Sequence, residues 1–292
     1  MKIVKKEEIE KGFKRNILNL FKFEIKKNKK EQKPDLSFFA VHLVEHCNLN
    51  CKGCDHCVPL AKTGFTDINI FEKDIKRMSE LFNRVKVIGL MGGEPLLHRG
   101  LSEFLRITRS IFTESHIVIF TNGILLEKQS QEFWETCKEN KIIINLTKYP
   151  IDLDFKKIEE LAKEKGVKID FSSGTNAVMA TFHKQVFDIE GKQNIEYSFS
   201  NCKNRLQGCY FLREGNFYPC TVAPNSKNFS EYFNINMEIT EKDSIDIYKA
   251  KSGKEILDFI SKPIPFCKYC DIDKRTINNP WELSKKDISE WT

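Results

Sequence analysis

The feature that most constrains this chain is a regular alternation of strand and helix signals between residues 36 and 171. Short runs rich in Val, Ile and Phe fall at 38–44, 85–91, 117–121, 142–147 and 167–171. Between them lie helical stretches near 71–83, 101–112, 127–139 and 154–165. Short, nearly continuous apolar runs read as strands buried on both faces. Repeated βα units of this kind build a parallel sheet with right-handed crossovers. Functional groups are then expected on the loops that follow the strand C-termini. Three motifs stand there: Cys47-Asn48-Leu49-Asn50-Cys51-Lys52-Gly53-Cys54 after the first strand, Gly92-Gly93-Glu94-Pro95 after the second, and Thr121-Asn122-Gly123 at the end of the third.

A length of 292 residues suits one large α/β domain, or a main domain with a small appendage. No run of 18 apolar residues is present, so no membrane span is expected. No secretory signal follows the basic start, and the expected location is cytoplasmic. Residues 1–34 carry twelve Lys or Arg against five Glu, which leaves the remainder near neutrality although the whole chain is +6. The basicity therefore belongs to one segment, and nucleic acid is not an expected partner of the folded body. That segment reads as an amphipathic helix, with Ile9, Phe13, Ile17, Leu20 and Phe21 on one side, and Lys33-Pro34 ends it. It suits packing against the main domain, or contact with an acidic partner or membrane surface.

Ten cysteines in a chain without export signals point to metal ligation rather than disulfides. Cys47, Cys51 and Cys54, with three and two residues between them, can curl around one face of a cubane iron–sulfur cluster. Three ligands leave one iron open to a small molecule. The motif, with the Gly-Gly-Glu-Pro loop in its place, resembles the radical S-adenosylmethionine (SAM) superfamily. The resemblance implies a partial (β/α)6 parallel barrel, a [4Fe-4S] cluster on the three cysteines, and SAM as the source of a 5′-deoxyadenosyl radical. It further implies that Gly92, Gly93 and Glu94 contact the methionine amine and that Thr121 and Asn122 lie near SAM, with Asn145 and Ser172 as additional contacts. One departure stands out: the family's aromatic residue before the third cysteine is Gly53 here, and His56 or Phe65 is the candidate replacement against adenine. The competing reading is a closed zinc site of Cys47, Cys51, Cys54 and Cys57. Cys57 otherwise reads as a loop residue that ligates nothing, and Cys137 as a core residue of a helix.

The alternation fades after about residue 175, and five cysteines lie beyond 200: Cys202, Cys209, Cys220, Cys267 and Cys270. Twelve residues, Gly215 and four residues separate Cys202 from Cys220, and Glu214-Gly215-Asn216 turns a hairpin at 211–218. This resembles the twitch module, the short relative of the SPASM domain, which implies a second [4Fe-4S] cluster. Five thiolates allow one such cluster, with Cys202, Cys220, Cys267 and Cys270 as ligands and Cys209 spare. A zinc ribbon is the alternative use of the same four. The expected organisation is a helix at 1–34, a barrel at 35–200 and a cysteine-rich module at 201–292.

The function expected from this resemblance is hydrogen abstraction from a small polar substrate, oxidising or remodelling a sugar or cyclitol, with a flavodoxin or ferredoxin-type reductant as partner. His183, Lys184 and Arg205 are candidates for the general base. The alternatives are a peptide-modifying radical enzyme and a zinc-containing binding module.

Overall fold

The computed structural model describes residues 33–172, 176–179, 181–182, 184–276 and 279–292. The basic segment expected to be helical lies outside the described residues except for its last two, and His183 also lies outside them.

The βα alternation is present. Strand β1 (Asp35–Val44) leads to helix α1 (Ile68–Leu81), then β2 (Arg84–Gly92), α2 (Leu101–Ile111), β3 (His116–Thr121), α3 (Gln131–Glu139), β4 (Ile143–Leu146), α4 (Phe155–Lys165) and β5 (Lys168–Phe171). All four neighbouring pairs from β1 to β5 are parallel. Local chemistry sets the helix starts. Asp67 caps α1 by accepting from the N–H groups of Asn69 and Ile70. Ser130 caps α3 at Phe133 N–H, four residues after the expected start, because 126–128 forms a tight 3-10 turn instead. Gly166 ends α4 in the left-handed conformation.

Each helix lays an apolar stripe on the sheet: Phe71, Ile75 and Met78 from α1, Phe104 and Leu105 from α2, Phe133 and Trp134 from α3, and Ile158 and Ala162 from α4. They meet Phe39, Leu43, Ile88, Leu90, Ile117, Ile119 and Ile144 in one core. Cys137 is fully buried there, in α3.

The second half adds β6 (Thr181–Phe182), α5 (Ile195–Ser200), α6 (Lys203–Leu206), β7 (Phe211–Arg213), β8 (Asn216–Tyr218), α7 (Val222–Phe233), β9 (Ile245–Asp246), α8 (Gly253–Ile260) and β10 (Asn279–Pro280). The sheet runs β5-β4-β3-β2-β1-β7-β8-β9 and is open rather than closed, a mixed α/β architecture of the partial-barrel type. The hairpin expected at 211–218 forms, with Glu214 and Gly215 both left-handed at its tip. Its first strand pairs in parallel with β1 through Ala40 and Val41, so the cysteine-rich half extends the same sheet. Asp74 of α1 holds the tip by accepting from Gly215 N–H at 2.8 Å, and Glu45 meets Arg213 at 2.6 Å. Residues Pro34–Thr292 form one compact unit. A second core joins Cys57 and Leu60 of the first half to Phe187, Phe229, Phe266 and Trp291 of this one. Among the described residues no helix is long and apolar enough to cross a membrane.

Candidate functional site

The C-terminal ends of β1, β2 and β3 are drawn together by close backbone contact. Gly93 donates its N–H to Val44 O at 2.8 Å and Glu94 donates to His46 O at 3.0 Å. A Cβ on Gly93 would stand 2.0 Å from His46 O, and one on Gly92 would stand 2.4 Å from Val44 O. The two glycines are thus required first by the cysteine-bearing loop, whose backbone lies directly against them. Glu94 is buried and ties this layer to β3. Its carboxylate accepts from Thr121 Oγ1 at 2.7 Å, Asn122 N–H at 3.0 Å and Leu96 N–H at 3.0 Å. Burial pushes the carboxyl up to about 7 despite these bonds. Asn122 reaches back to the cysteine loop, donating to Asn48 Oδ1 at 2.9 Å.

These loops wall a cavity of about 680 Å³, in the size range of small-ligand pockets. Cys47, Cys51 and Cys54 line it with Gly92, Gly93, Glu94, Thr121 and Asn122. Burial pushes the Cys47 and Cys54 thiols up to about 12 and raises that of Cys51. N–H groups face the sulfurs: Leu49 N–H is 3.3 Å from Cys47 Sγ, and Trp281 Nε1 is 3.3 Å from Cys51 Sγ. Burial by itself favours the neutral thiol, and the N–H donors pull the other way, toward the thiolate that an iron–sulfur centre uses. Cys57 does not line the cavity; it is fully buried in the second core. Among the described residues no three His, Cys, Asp or Glu side chains are gathered closely enough to hold a single metal ion.

Thr147 and Ser172 line the far wall, and Asn145 reaches it through Ser172, whose hydroxyl lies 2.6 Å from both Asn145 Oδ1 and Thr147 Oγ1. His56 lines the cavity, with its Nδ1 2.7 Å from Nε2 of the buried His42. Burial, with the Arg213 charge added, pushes His56 down to about 4. Phe65 is not a cavity residue; it packs edge-on against His46 and His98. Lys184 stands elsewhere too, its Nζ donating to the carbonyls of Ser289 and Thr292. Neither it nor Arg205 lines this cavity.

Three side chains in the wall escape a reading of motifs. Lys148 is buried, paired with Glu159 at 2.5 Å and set against the rings of Phe155 and Phe171. Tyr149 and Trp281 stack with ring centroids 5.7 Å apart. Lys148 and Tyr149 follow β4, where the rim rule would have found them. Trp281 left only a Pro-Trp pair in a charged tail as its signal.

A second, smaller cavity is lined by Cys202, Cys220, Cys267 and Cys270, together with Arg205 and Arg275. Cys209 is not among its lining residues. Burial pushes Cys220 up to about 12 and Cys267 up to about 11, with the neighbouring cysteines adding to the rise. Gln185 Nε2 lies 3.6 Å from Cys270 Sγ, and its Oε1 accepts from the Arg275 guanidinium. The Arg275 guanidinium lies 3.9 Å from Cys202 Sγ. Asp55, on the wall of the first cavity, is pushed up to about 6 by burial against the pull of Arg275 and Lys203.

Residues 41–155 match the model of the radical SAM superfamily. That stretch is similar to a radical SAM domain, and the similarity implies SAM and a [4Fe-4S] cluster as cofactors. A GTP 3′,8-cyclase of Helicobacter pylori is 23% identical over 259 residues, covering 81% of this chain and 76% of that protein. One from Campylobacter fetus is 29% identical over 97 residues, covering 33% of this chain and 30% of that protein. Among solved structures, BtrN in complex with AdoMet and 2-DOIA covers 81% of this chain and 93% of its own at 18% identity and a TM-score of 0.47.

The glycine contact generates a direct test. Gly93→Ala should lower stability by about 1–3 kcal/mol, because the new methyl meets backbone that has no side-chain end to yield. Gly100→Ala, whose Cβ would meet only the His98 ring at 3.4 Å, should stay close to the parent. Urea denaturation compares the two, and equal midpoints would remove the claim.

Proposed function

We propose that this chain is a radical SAM enzyme whose Cys47, Cys51 and Cys54 hold the SAM-binding cluster, and which oxidises a hydroxyl-bearing carbon of a small polar substrate. One observation carries the reading: the three cysteines share a cavity of about 680 Å³ with Gly92, Gly93, Glu94, Thr121 and Asn122. The bound cofactors supply an electron and a 5′-deoxyadenosyl radical able to take a hydrogen atom from carbon. The chain's own part is placement. Its three thiolates leave one iron open for the amine and carboxylate of SAM. The Gly92–Glu94 loop and Asn122 form the wall beside that position, while Thr147 and Ser172 offer hydroxyls across the cavity to a polar substrate.

Cys202, Cys220, Cys267 and Cys270 are the proposed ligands of a second [4Fe-4S] cluster in a twitch-like module at 201–292. Four thiolates saturate such a cluster, so this site would accept an electron rather than chelate substrate. The balance then closes. The substrate carbon would give a hydrogen atom to the 5′-deoxyadenosyl radical, its hydroxyl would give a proton to water, and a centre held by Cys202, Cys220, Cys267 and Cys270 would take the remaining electron, leaving a carbonyl. The relatives named GTP 3′,8-cyclase are named for a nucleotide, a molecule with a hydroxylated sugar, which supports a sugar- or cyclitol-like substrate over a peptide.

Three outcomes follow. Anaerobically reconstituted chain with a strong reductant should cleave SAM to 5′-deoxyadenosine, and joint replacement of Cys47, Cys51 and Cys54 by Ala should abolish it; cleavage that persists in that variant ends the reading. Iron should be near eight per chain and fall to about four when Cys267 and Cys270 are both replaced, whereas zinc there with iron unchanged would favour a ribbon. With deuterated candidate substrates, label should pass from a sugar carbon into 5′-deoxyadenosine, and transfer from a peptide carbon instead would overturn the substrate class.

A further inference from the structure

The tail of the chain is stitched to the first cysteine loop. Strand β10 pairs antiparallel with β6, Asn279 opposite Phe182 and Pro280 opposite Thr181. The chain then runs alongside the loop: Lys52 N–H donates to Glu282 O and Ser284 N–H to Asn50 O, both at 2.9 Å, with Cys51 opposite Leu283 in an antiparallel bridge. Farther on, the buried Trp291 donates its indole N–H to Cys54 O at 3.0 Å. The exposed Lys52–Glu282 ion pair at 2.6 Å adds little of its own. Backbone pairing and a buried ring therefore hold this strap on both sides of Trp281.

The strap delivers one group to the sulfurs. Trp281 Nε1 stands 3.3 Å from Cys51 Sγ, and the Tyr149 hydroxyl also hydrogen bonds that sulfur. Cys47 takes the N–H of Leu49 and, at 3.7 Å, the side-chain amide of Asn122, while Cys54 takes the N–H groups of His56 and Val58 from its own loop. The donors to Cys51 are both side chains, one of them 230 residues away in sequence. Indole N–H is a donor only, so toward this sulfur it can only give a hydrogen bond. Hydrogen bonds to ligand sulfur are among the features that set the potential of an iron–sulfur centre. Negative charge on the ligands grows on reduction, so each such bond is stronger in the reduced state and raises the potential.

We infer that Trp281 is a positioning residue of the radical site, one that tunes the first centre through Cys51 and makes one wall of the substrate cavity with Tyr149. The inference rests on the proposed ligation by Cys47, Cys51 and Cys54. It assigns a role to the tail that neither the cysteine motif nor the Gly-Gly-Glu-Pro loop implies.

The test is a redox titration of the reconstituted full chain, followed by electron paramagnetic resonance of the SAM-binding centre. Trp281→Phe keeps a ring against Tyr149 and removes the N–H. It should lower the midpoint potential by about 59 mV, a tenfold change in a one-electron equilibrium. Trp291→Phe removes an N–H from the same strap that faces a carbonyl rather than sulfur, and it should leave the midpoint in place. An unchanged midpoint in Trp281→Phe at full iron content overturns the inference and leaves the radical SAM reading intact. Iron that does not depend on Cys47, Cys51 and Cys54 sinks both. Should Trp281→Phe fail to load, 5-fluorotryptophan labelling of the parent decides. The chain has three tryptophans, and the Trp281 fluorine signal, assigned by replacing Trp134 and Trp291, should broaden most on iron loading. A sharp Trp281 signal in loaded protein overturns the proposal.

Discussion

The site depends on the contact between two stretches of backbone, Gly92-Gly93 at the end of β2 and Val44-Glu45-His46 at the end of β1. Neither stretch could come so near the other if either glycine carried a Cβ, since the new atom would fall within about 2.4 Å of a carbonyl oxygen. The approach lets Gly93 and Glu94 donate to Val44 and His46, which fixes where the cysteine loop leaves the sheet. Glu94 extends the same constraint sideways. Its buried carboxylate, bonded to Thr121 and Asn122, locks the third strand end to the second. A side chain suited by motif to meet a ligand is thus also the internal brace of the rim.

The remaining walls come from the other end of the chain. The β7–β8 hairpin joins the sheet at β1, and the strap after β10 runs back along the cysteine loop. The cavity is therefore enclosed by elements from both halves of the sequence, and the second core, which includes Cys57 and Trp291, packs beneath them. Division into a barrel and a separate cysteine-rich module follows the composition of the chain, whereas the hydrogen bonds run through one continuous sheet. Two cysteine-lined cavities lie in a single compact body, with Arg275 electrostatically linked to Asp55 of one and close to Cys202 of the other.

Much of this was determined by the sequence alone. The five parallel strands, their helices and the hairpin at 211–218 follow from period, propensity and turn chemistry, which act over a few residues. The three rim motifs follow from the strand ends they sit beside. The four cysteines lining the second cavity follow from hairpin spacing joined to a family resemblance. Where the structure adds a second role, as for Glu94, the motif named the residue but not its partners. Where it differs, the cause is a contact outside the local pattern: Lys184 is engaged by tail carbonyls, and Phe65 by two histidine rings.

Tertiary structure alone decided which side chains complete the wall. Trp281 meets Cys51, Tyr149 stacks on Trp281, and His42 lies behind His56, because the sheet brings distant segments to one rim. Such contacts leave no periodic trace. A helix or strand repeats its preference every few residues and can be read from a window, but a single hydrogen bond across 230 positions is written once at each end, and only the folded path of the backbone joins the two.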